Sequence, residues 1–388
     1  MHEDGRPRWR AMVLSVAFAL LVAACGGGGA GGQAGSEACP EGGVALAFFG
    51  PLTGSNSPQL GINIRNSAQL AINQYMEGDP ACPVELVQFD SQGDPAQAPA
   101  LAQQAVQNGR IVAIVGPTYS GESNVANPIF DEAGLPIVTA SATAVGLSTN
   151  GWGIFHRAVG NDNAQGPAAA TYVSETLGAQ RVAVIDDRSE YGLGIATIVR
   201  EGLGDLLVHN DAIDASQQDY SSTVNGVRAA NVDTIFFAGY YQQGGLLLKQ
   251  LRDAGVTATF VSDDGSRDEQ LITIAGGPTI AEGVLLTCPC IPNTELQGGE
   301  EFLAAYTDAY GVAPGIYSSE GFDVTNLLLQ AVSQGNVDRA SINQWLDEAS
   351  YQGITKTLRF QEDGELPSST IYMYEVRDGQ IVPVGPIG

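Results

Sequence analysis

Val44-Ala45-Leu46-Ala47-Phe48-Phe49, closing on Gly50-Pro51-Leu52-Thr53-Gly54, is an unbroken apolar run followed by a turn. A short run of this kind bounded by Gly and Pro reads as a strand buried on both faces. Beyond the turn, Ile64, Ala68, Ala71, Ile72 and Tyr75 recur at helical spacing, so one stripe of a helix packs on a sheet. The same alternation continues through strands expected at residues 84–90, 111–115 and 137–140. Asp94-Pro95 reads as an N-cap with Pro at the first helical position, and Gly109 as the end of that helix. Strand and helix in alternation predict an α/β protein, with parallel sheets covered by helices on both faces.

A second series of the same kind begins after Gly160, with strands expected at residues 181–186, 234–238, 259–262 and 283–287 and helices such as 244–254 between them. These are more strands than one compact sheet needs, and they predict two α/β lobes. Residues 300–350 hold three helical stretches in a row. Residues 358–361, 371–376 and 381–384 read as short strands joined by turns at Asp363-Gly364 and Asp378-Gly379.

The N-terminus carries a different message. Arg6, Arg8 and Arg10 precede an uncharged apolar stretch at residues 11–24, shorter than the roughly 20 residues that span a bilayer, which predicts a signal peptide over residues 1–24. Its end, Leu21-Val22-Ala23-Ala24-Cys25, resembles the lipobox of bacterial lipoproteins, in which the cysteine is diacylated and becomes the first residue. Residues 26–35 are almost entirely Gly and Ala, a flexible tether, so residues 25–42 are expected to be anchor and linker. No later stretch is long enough for a membrane helix. In an oxidising compartment Cys39 is expected to pair with Cys82, because each precedes a strand and strands joined by one helical crossover commonly lie side by side. Cys288-Pro289-Cys290 leaves two options, a local bridge across one residue or two free thiols.

Composition narrows the function. A net charge of −26, with Lys249 and Lys356 the only lysines, argues against a nucleic-acid partner. No Gly-Lys pair exists, which excludes a P-loop, and there is no Gly-x-Ser-x-Gly elbow. His156 and His209 have no metal-binding spacing, and Tyr191-Gly-Leu-Gly194 lacks the third glycine of a dinucleotide fingerprint because Thr197 stands there. Neither catalysis nor a cofactor nor a metal is expected.

In open α/β sheets a ligand sits at the C-terminal ends of the strands, where helix N-termini offer free N–H groups. After the strand ending at Val115 comes a hydroxyl-rich loop holding Ser120, Glu122 and Ser123, and after the strand near Ala140 comes Ser141-Ala142-Thr143-Ala144. Hydroxyls and N–H groups without a formal cation suit a carboxylate. For either serine alone a helix cap is the stronger reading; two such loops after neighbouring strands shift the balance toward a site. The matching loops of the second series hold Tyr191, Tyr240 and Asp263-Asp264-Gly265. There an acid can take an ammonium and a tyrosine can pack on an aliphatic stem or add cation–π attraction. Together the two sides describe a zwitterion. Taken singly, Asp263-Asp264-Gly265 is as well a solvated turn and each tyrosine a surface aromatic.

The ordered set Phe49-Gly-Pro-Leu-Thr-Gly54, Asp90 with Asp94-Pro95, Val115-Gly-Pro with Ser120, Pro136-Ile-Val with Ser141-Ala-Thr143, Tyr191-Gly192, Gly239-Tyr240 and Tyr374-Glu-Val with Asp378-Gly379 resembles the leucine/isoleucine/valine-type periplasmic binding proteins. The likeness runs from about residue 43 to the end. It implies a type I periplasmic-binding fold, two doubly wound parallel-sheet lobes joined by three crossing strands near Gly160, Leu286 and Thr355. One lobe would hold residues 43–160 and 286–355, the other residues 161–285 and 356–388. Carried over, Ser120, Ser141 and Thr143 hold a ligand carboxylate, Asp264 binds the ammonium, and Tyr191 and Tyr240 close over the ligand. Ala142 and Tyr317 are further candidate ligand-binding positions. Two departures bear on side-chain preference: Leu60 beside Gln59 where the family often has an aromatic, and Glu122 in a loop usually hydroxylic. The resemblance implies an exported, lipid-anchored monomer at the outer face of the cytoplasmic membrane or in the periplasm. Such a protein captures an amino acid, branched-chain or similar, by hinge closure and delivers it to an ABC permease and ATPase complex. A sensor of the same fold, and a binding protein for an aromatic acid or amide, stand as alternatives.

Overall fold

The computed structural model describes residues 38–55 and 57–388; the expected signal peptide, Cys25 and the Gly-rich tether lie outside them. The first sheet is built from β1 (Val44–Gly50), β2 (Val84–Asp90), β3 (Ile111–Val115), β4 (Ile137–Thr139) and β5 (Phe155–Arg157), all parallel, in the order β2-β1-β3-β4-β5. Every residue of β1 is buried, as a central strand with helices on both faces requires. Its side chains alternate between two cores. Phe48 faces the larger one with Leu60 and Ile64, while Phe49 faces Phe89 and Phe130, with ring centroids 6.1 and 5.6 Å away. Burying each such ring contributes about 1.5–3 kcal/mol. Helix Gln59–Glu77 lies against helix Ser318–Ser333, where Gly321 permits the approach: a Cβ there would sit 3.1 Å from the Ile64 backbone.

The second sheet begins with β6 (Val182–Asp186), β7 (Leu207–Ala212), β8 (Thr234–Ala238), β9 (Thr259–Ser262) and β10 (Leu285–Cys288). A two-stranded ribbon, β11 (Tyr351–Gln352) with β12 (Thr357–Leu358), intervenes before β13 (Ile371–Arg377) and β14 (Gln380–Ile387) complete the order β14-β13-β10-β9-β8-β6-β7. Strands β6 to β10 are parallel, and β13 and β14 are added antiparallel at one edge. Cys39 is bonded to Cys82 with Cα atoms 5.4 Å apart, beside the start of the β1–β2 pairing at Val44 and Val84. Cys288 is bonded to Cys290 at the end of β10.

The chain leaves the first sheet after β5, returns after β10, and leaves again before β13. The three passages meet where a Cβ on Gly160 would run into the Ser369 side chain and lie 3.4 Å from Pro289 Cβ. Two passages differ from the positions the resemblance implies. Leu286 and Cys288 are still within β10, paired to Tyr374 and Tyr372, so the return follows Cys288. The last passage comes after residue 365 rather than near Thr355, because Phe360 packs on His156 with centroids 4.9 Å apart and the Arg157 N–H donates to the Gly364 carbonyl at 2.9 Å.

Smaller departures have local causes. Asp94 closes a turn by accepting from the Ala96 N–H at 2.9 Å, and the helix starts only at Ala98 and ends at Gln107. The strand expected at 358–361 is reduced to Thr357–Leu358. Strands β5 and β7 carry no sequence signal, β5 being three residues long and β7 a half-exposed edge strand of mixed polarity.

Candidate functional site

The site gathers where β3 and β4 of the first sheet end opposite β6, β8 and β9 of the second. After β3 the chain turns sharply at Gly116, with φ +124° and room for no side chain, since a Cβ would lie 2.5 Å from the Phe49 carbonyl oxygen. Thr118, Tyr119 and Ser120 then lead into helix Ser120–Glu132. This loop and the one after β4 are interlaced. Ser141 Oγ donates to the Thr118 carbonyl at 2.7 Å, the Ala144 N–H donates to Ser120 Oγ at 3.2 Å, and Thr139 Oγ1 donates to the Pro117 carbonyl at 2.8 Å.

From behind, the wholly buried Arg157 holds the second loop. Its Nη1 donates to the carbonyls of Ala142 at 3.0 Å and Ala144 at 2.8 Å, and its Nε donates to Glu365 Oε2 at 3.1 Å while Nη2 engages Oε1. Asn161 Nδ2 adds a bond to Glu365 Oε1 at 3.0 Å. Burial raises the Glu365 carboxyl, but the Arg157 hydrogen bonds and charge outweigh it and the net shift is downward.

On the second side, Ser189 caps helix Glu190–Leu203 by accepting from the Gly192 N–H at 2.9 Å. Asp187 ties this loop to the next, accepting from the Ser189 N–H at 2.9 Å and the Tyr240 N–H at 3.3 Å. Tyr191 Oη donates to Asp264 Oδ1 and Tyr317 Oη to Asp264 Oδ2, both at 2.6 Å. Tyr317 comes from the N-terminus of helix Ser318–Ser333, which packs on the first sheet's helices, so this carboxylate joins the two lobes. Tyr317 holds φ at +60°, a left-handed conformation that costs a non-glycine residue about 1–3 kcal/mol and aims its hydroxyl at Asp264.

Tyr119 and Tyr240 meet across the lobes with centroids 4.4 Å apart, and Tyr191 lies 5.5 Å from Tyr240. These rings, with Leu60, Thr118, Ser120, Ser141 and Asp264, line a nearly closed cavity of about 10 Å³. One end presents hydroxyls, the other a carboxylate, and the walls between are aromatic and aliphatic. Burial raises the Asp264 carboxyl, against the lowering pull of the Tyr191 and Tyr317 hydrogen bonds. Burial, then the charge of Asp264, pushes Asp263 well up. Burial likewise takes Asp162 to about 7 and Asp187 to about 6, and raises the hydroxyls of Tyr119, Tyr191, Tyr240 and Tyr317 well above the usual tyrosine range. A cationic group entering this end finds acids and no competing free cation in the lining.

Of the residues singled out from sequence, Ser120, Ser141, Tyr191, Tyr240, Asp264 and Leu60 line the cavity, and Tyr317 buttresses Asp264 from behind. Ala142 and Thr143 lie on the loop that Arg157 holds, and Thr143 sits beside Asp162, whose N–H donates to the Thr143 carbonyl at 3.0 Å. Glu122 is corrected: it does not line the cavity. Its carboxyl turns back to Ser91 Oγ and to the Tyr119 N–H at 3.3 Å, and burial lifts its pKa to about 8. Thr118 and Tyr119, directly before Ser120 in the same hydroxyl-rich loop, also line the cavity and were not singled out from sequence. Nor were Arg157 and Asp162, which lie in a short strand and at a helix start with no motif of their own.

A family model described as periplasmic binding protein matches residues 43–380. An amino acid binding protein of Pseudomonas aeruginosa is 30% identical over 342 residues, covering 86% of this chain and 90% of that protein. The Leu/Ile/Val-binding protein of Escherichia coli K12 is 35% identical over 286 residues, 73% of this chain and 77% of that one. Among solved structures, the branched-chain amino acid transporter substrate binding protein of Streptococcus pneumoniae in complex with isoleucine superposes with a TM-score of 0.82 at 25% identity, over 89% of this chain and 100% of that chain.

Proposed function

The chain belongs to the periplasmic binding protein family, and from that premise we propose that it captures a free amino acid with an aliphatic, branched-chain or similar side chain between its lobes for an ABC transporter. The observation that carries this reading is the polarity of the cavity, with Ser120 and Ser141 at one end, Asp264 at the other, and Leu60, Tyr119 and Tyr240 between. A zwitterion fits that order. Its carboxylate meets the hydroxyls and N–H groups of the first-lobe loops, including Thr143, and its ammonium meets Asp264. Its aliphatic stem packs on Leu60 and the tyrosine rings.

Closure follows from where these groups reside. Ser120 and Ser141 belong to one lobe, Tyr191, Tyr240 and Asp264 to the other, so a ligand touching both gains contacts only when the lobes come together. Only such differential affinity shifts an open–closed equilibrium. The permease would then read the closed form. Diacylation at Cys25 would hold the protein at the outer face of the membrane and raise its concentration near the transporter without a tight interface.

A thermal-shift screen of free amino acids, amino-acid amides and aromatic carboxylates tests the reading. A ligand at about 100 times its Kd adds about 2.7 kcal/mol, a shift of several degrees. Leucine, isoleucine and valine are expected to produce it. Shifts from aromatic acids or amides alone would overturn the assignment.

A further inference from the structure

We infer that Arg157, held by Glu365, is the positioning residue of the carboxylate end of the site, orienting the Ser141–Ala144 loop and tying it to the passages between the lobes. The inference rests on the amino-acid reading above and deepens it.

A trans peptide points its C=O and the following N–H in opposite directions. Arg157 Nη1 draws the carbonyls of Ala142 and Ala144 toward itself at 3.0 and 2.8 Å, which turns the N–H groups of Thr143 and Val145 away from the guanidinium. A cationic donor on a carbonyl oxygen also polarises that peptide and makes its N–H a better donor to an anion. The guanidinium therefore acts on the ligand's carboxylate through the loop rather than by touching it. Its own charge is balanced by Glu365, so it adds no competing binding site of its own.

Where Glu365 lies gives the pair its second role. It sits on the segment just before the last passage to β13, and it also accepts from Asn161 Nδ2 at 3.0 Å. Asn161 lies on the first passage and caps helix Asp162–Thr171, accepting from the Asn163 N–H at 3.0 Å. One network thus joins the loop to the first connecting segment and to the stretch that leads into the last. Lysine cannot replace this fork, because a single ammonium does not reproduce the planar set of donors that reaches two carbonyls and both carboxylate oxygens.

The test compares L-leucine with L-leucine amide, which keeps the ammonium and side chain but lacks the carboxylate, on wild type, Arg157→Lys and Glu365→Gln. Affinities are taken from calorimetry for leucine and from competition at millimolar concentration for the amide. Either variant is expected to weaken leucine about tenfold while leaving the amide unchanged, so the preference for the free acid contracts about tenfold. Glu365→Gln, which keeps the side-chain shape, serves should Arg157→Lys fail to fold. A variant that loses affinity for both ligands in proportion, or for neither while its melting temperature falls, shows a merely structural pair and overturns the inference. Wild-type protein that binds neither ligand contradicts the amino-acid reading itself.

Discussion

At the scale of single residues, the site works by assigning one task to each buried polar group. On the proposed reading Asp264 would meet the ligand's ammonium, and the hydroxyls of Tyr191 and Tyr317 hold its two oxygens in place. Replacing Asp264 by Ala, or Tyr191 by Ala, is expected to weaken leucine binding at least about tenfold in calorimetry, since a hydrogen bond to a charged group is worth about 1.5–3 kcal/mol. Unchanged affinity in both variants would sink this assignment. Glu122 provides a contrast, because its task is structural. An acid whose folded pKa lies above its ordinary value holds its proton more tightly when folded. Its stabilisation is therefore full below about pH 4.5 and falls away as the pH rises toward about 8. Glu122→Gln, which is neutral at every pH, is expected to flatten that decline and to melt a few degrees above wild type at pH 8. A wild-type excess at pH 8 would show that the carboxylate form is the stable one. The cavity-lining residues Asp264, Tyr191, Ser120 and Ser141 were legible in the sequence because each follows a strand in a loop of polar residues. Arg157 was not, because its only sequence context is a three-residue strand and its partner Glu365 lies 208 positions away.

At the scale of elements, strands buried on both faces announced themselves by continuous apolar runs, and β1, β3, β6 and β8 are of this kind. Edge and very short strands did not, since half-exposed side chains alternate weakly and a three-residue strand has no period. Helix starts were legible only to within a few residues, because Asp94 caps a turn as readily as a helix. Cys39 and Cys82 bracket the β1–β2 pair across 43 residues of sequence, so their bond restricts the unfolded chain. A Cys39→Ser, Cys82→Ser double variant is expected to lose about 2–4 kcal/mol in urea unfolding, with ligand affinity kept, because both cysteines lie at the N-terminal ends of their strands and the site lies at the C-terminal ends. Loss of binding without loss of stability would contradict that separation.

At the scale of the whole molecule, two sheets, three connecting passages and a shared cavity make the lobes a hinged pair, and the net charge of −26 is spread over a surface nearly free of lysine. Self-repulsion of that charge is screened by salt, with a Debye length of about 10 Å at 0.1 M. The melting temperature is expected to rise between 0.05 and 0.5 M sodium chloride, by roughly several degrees, and a fall would show that attractive ion pairs dominate instead. On the proposed reading the cavity between the lobes takes one free aliphatic amino acid. Calorimetric titration of the purified protein with L-leucine tests it most directly. Saturable binding of one leucine per chain is the predicted result, and the absence of saturable binding for leucine, isoleucine and valine alike would contradict it.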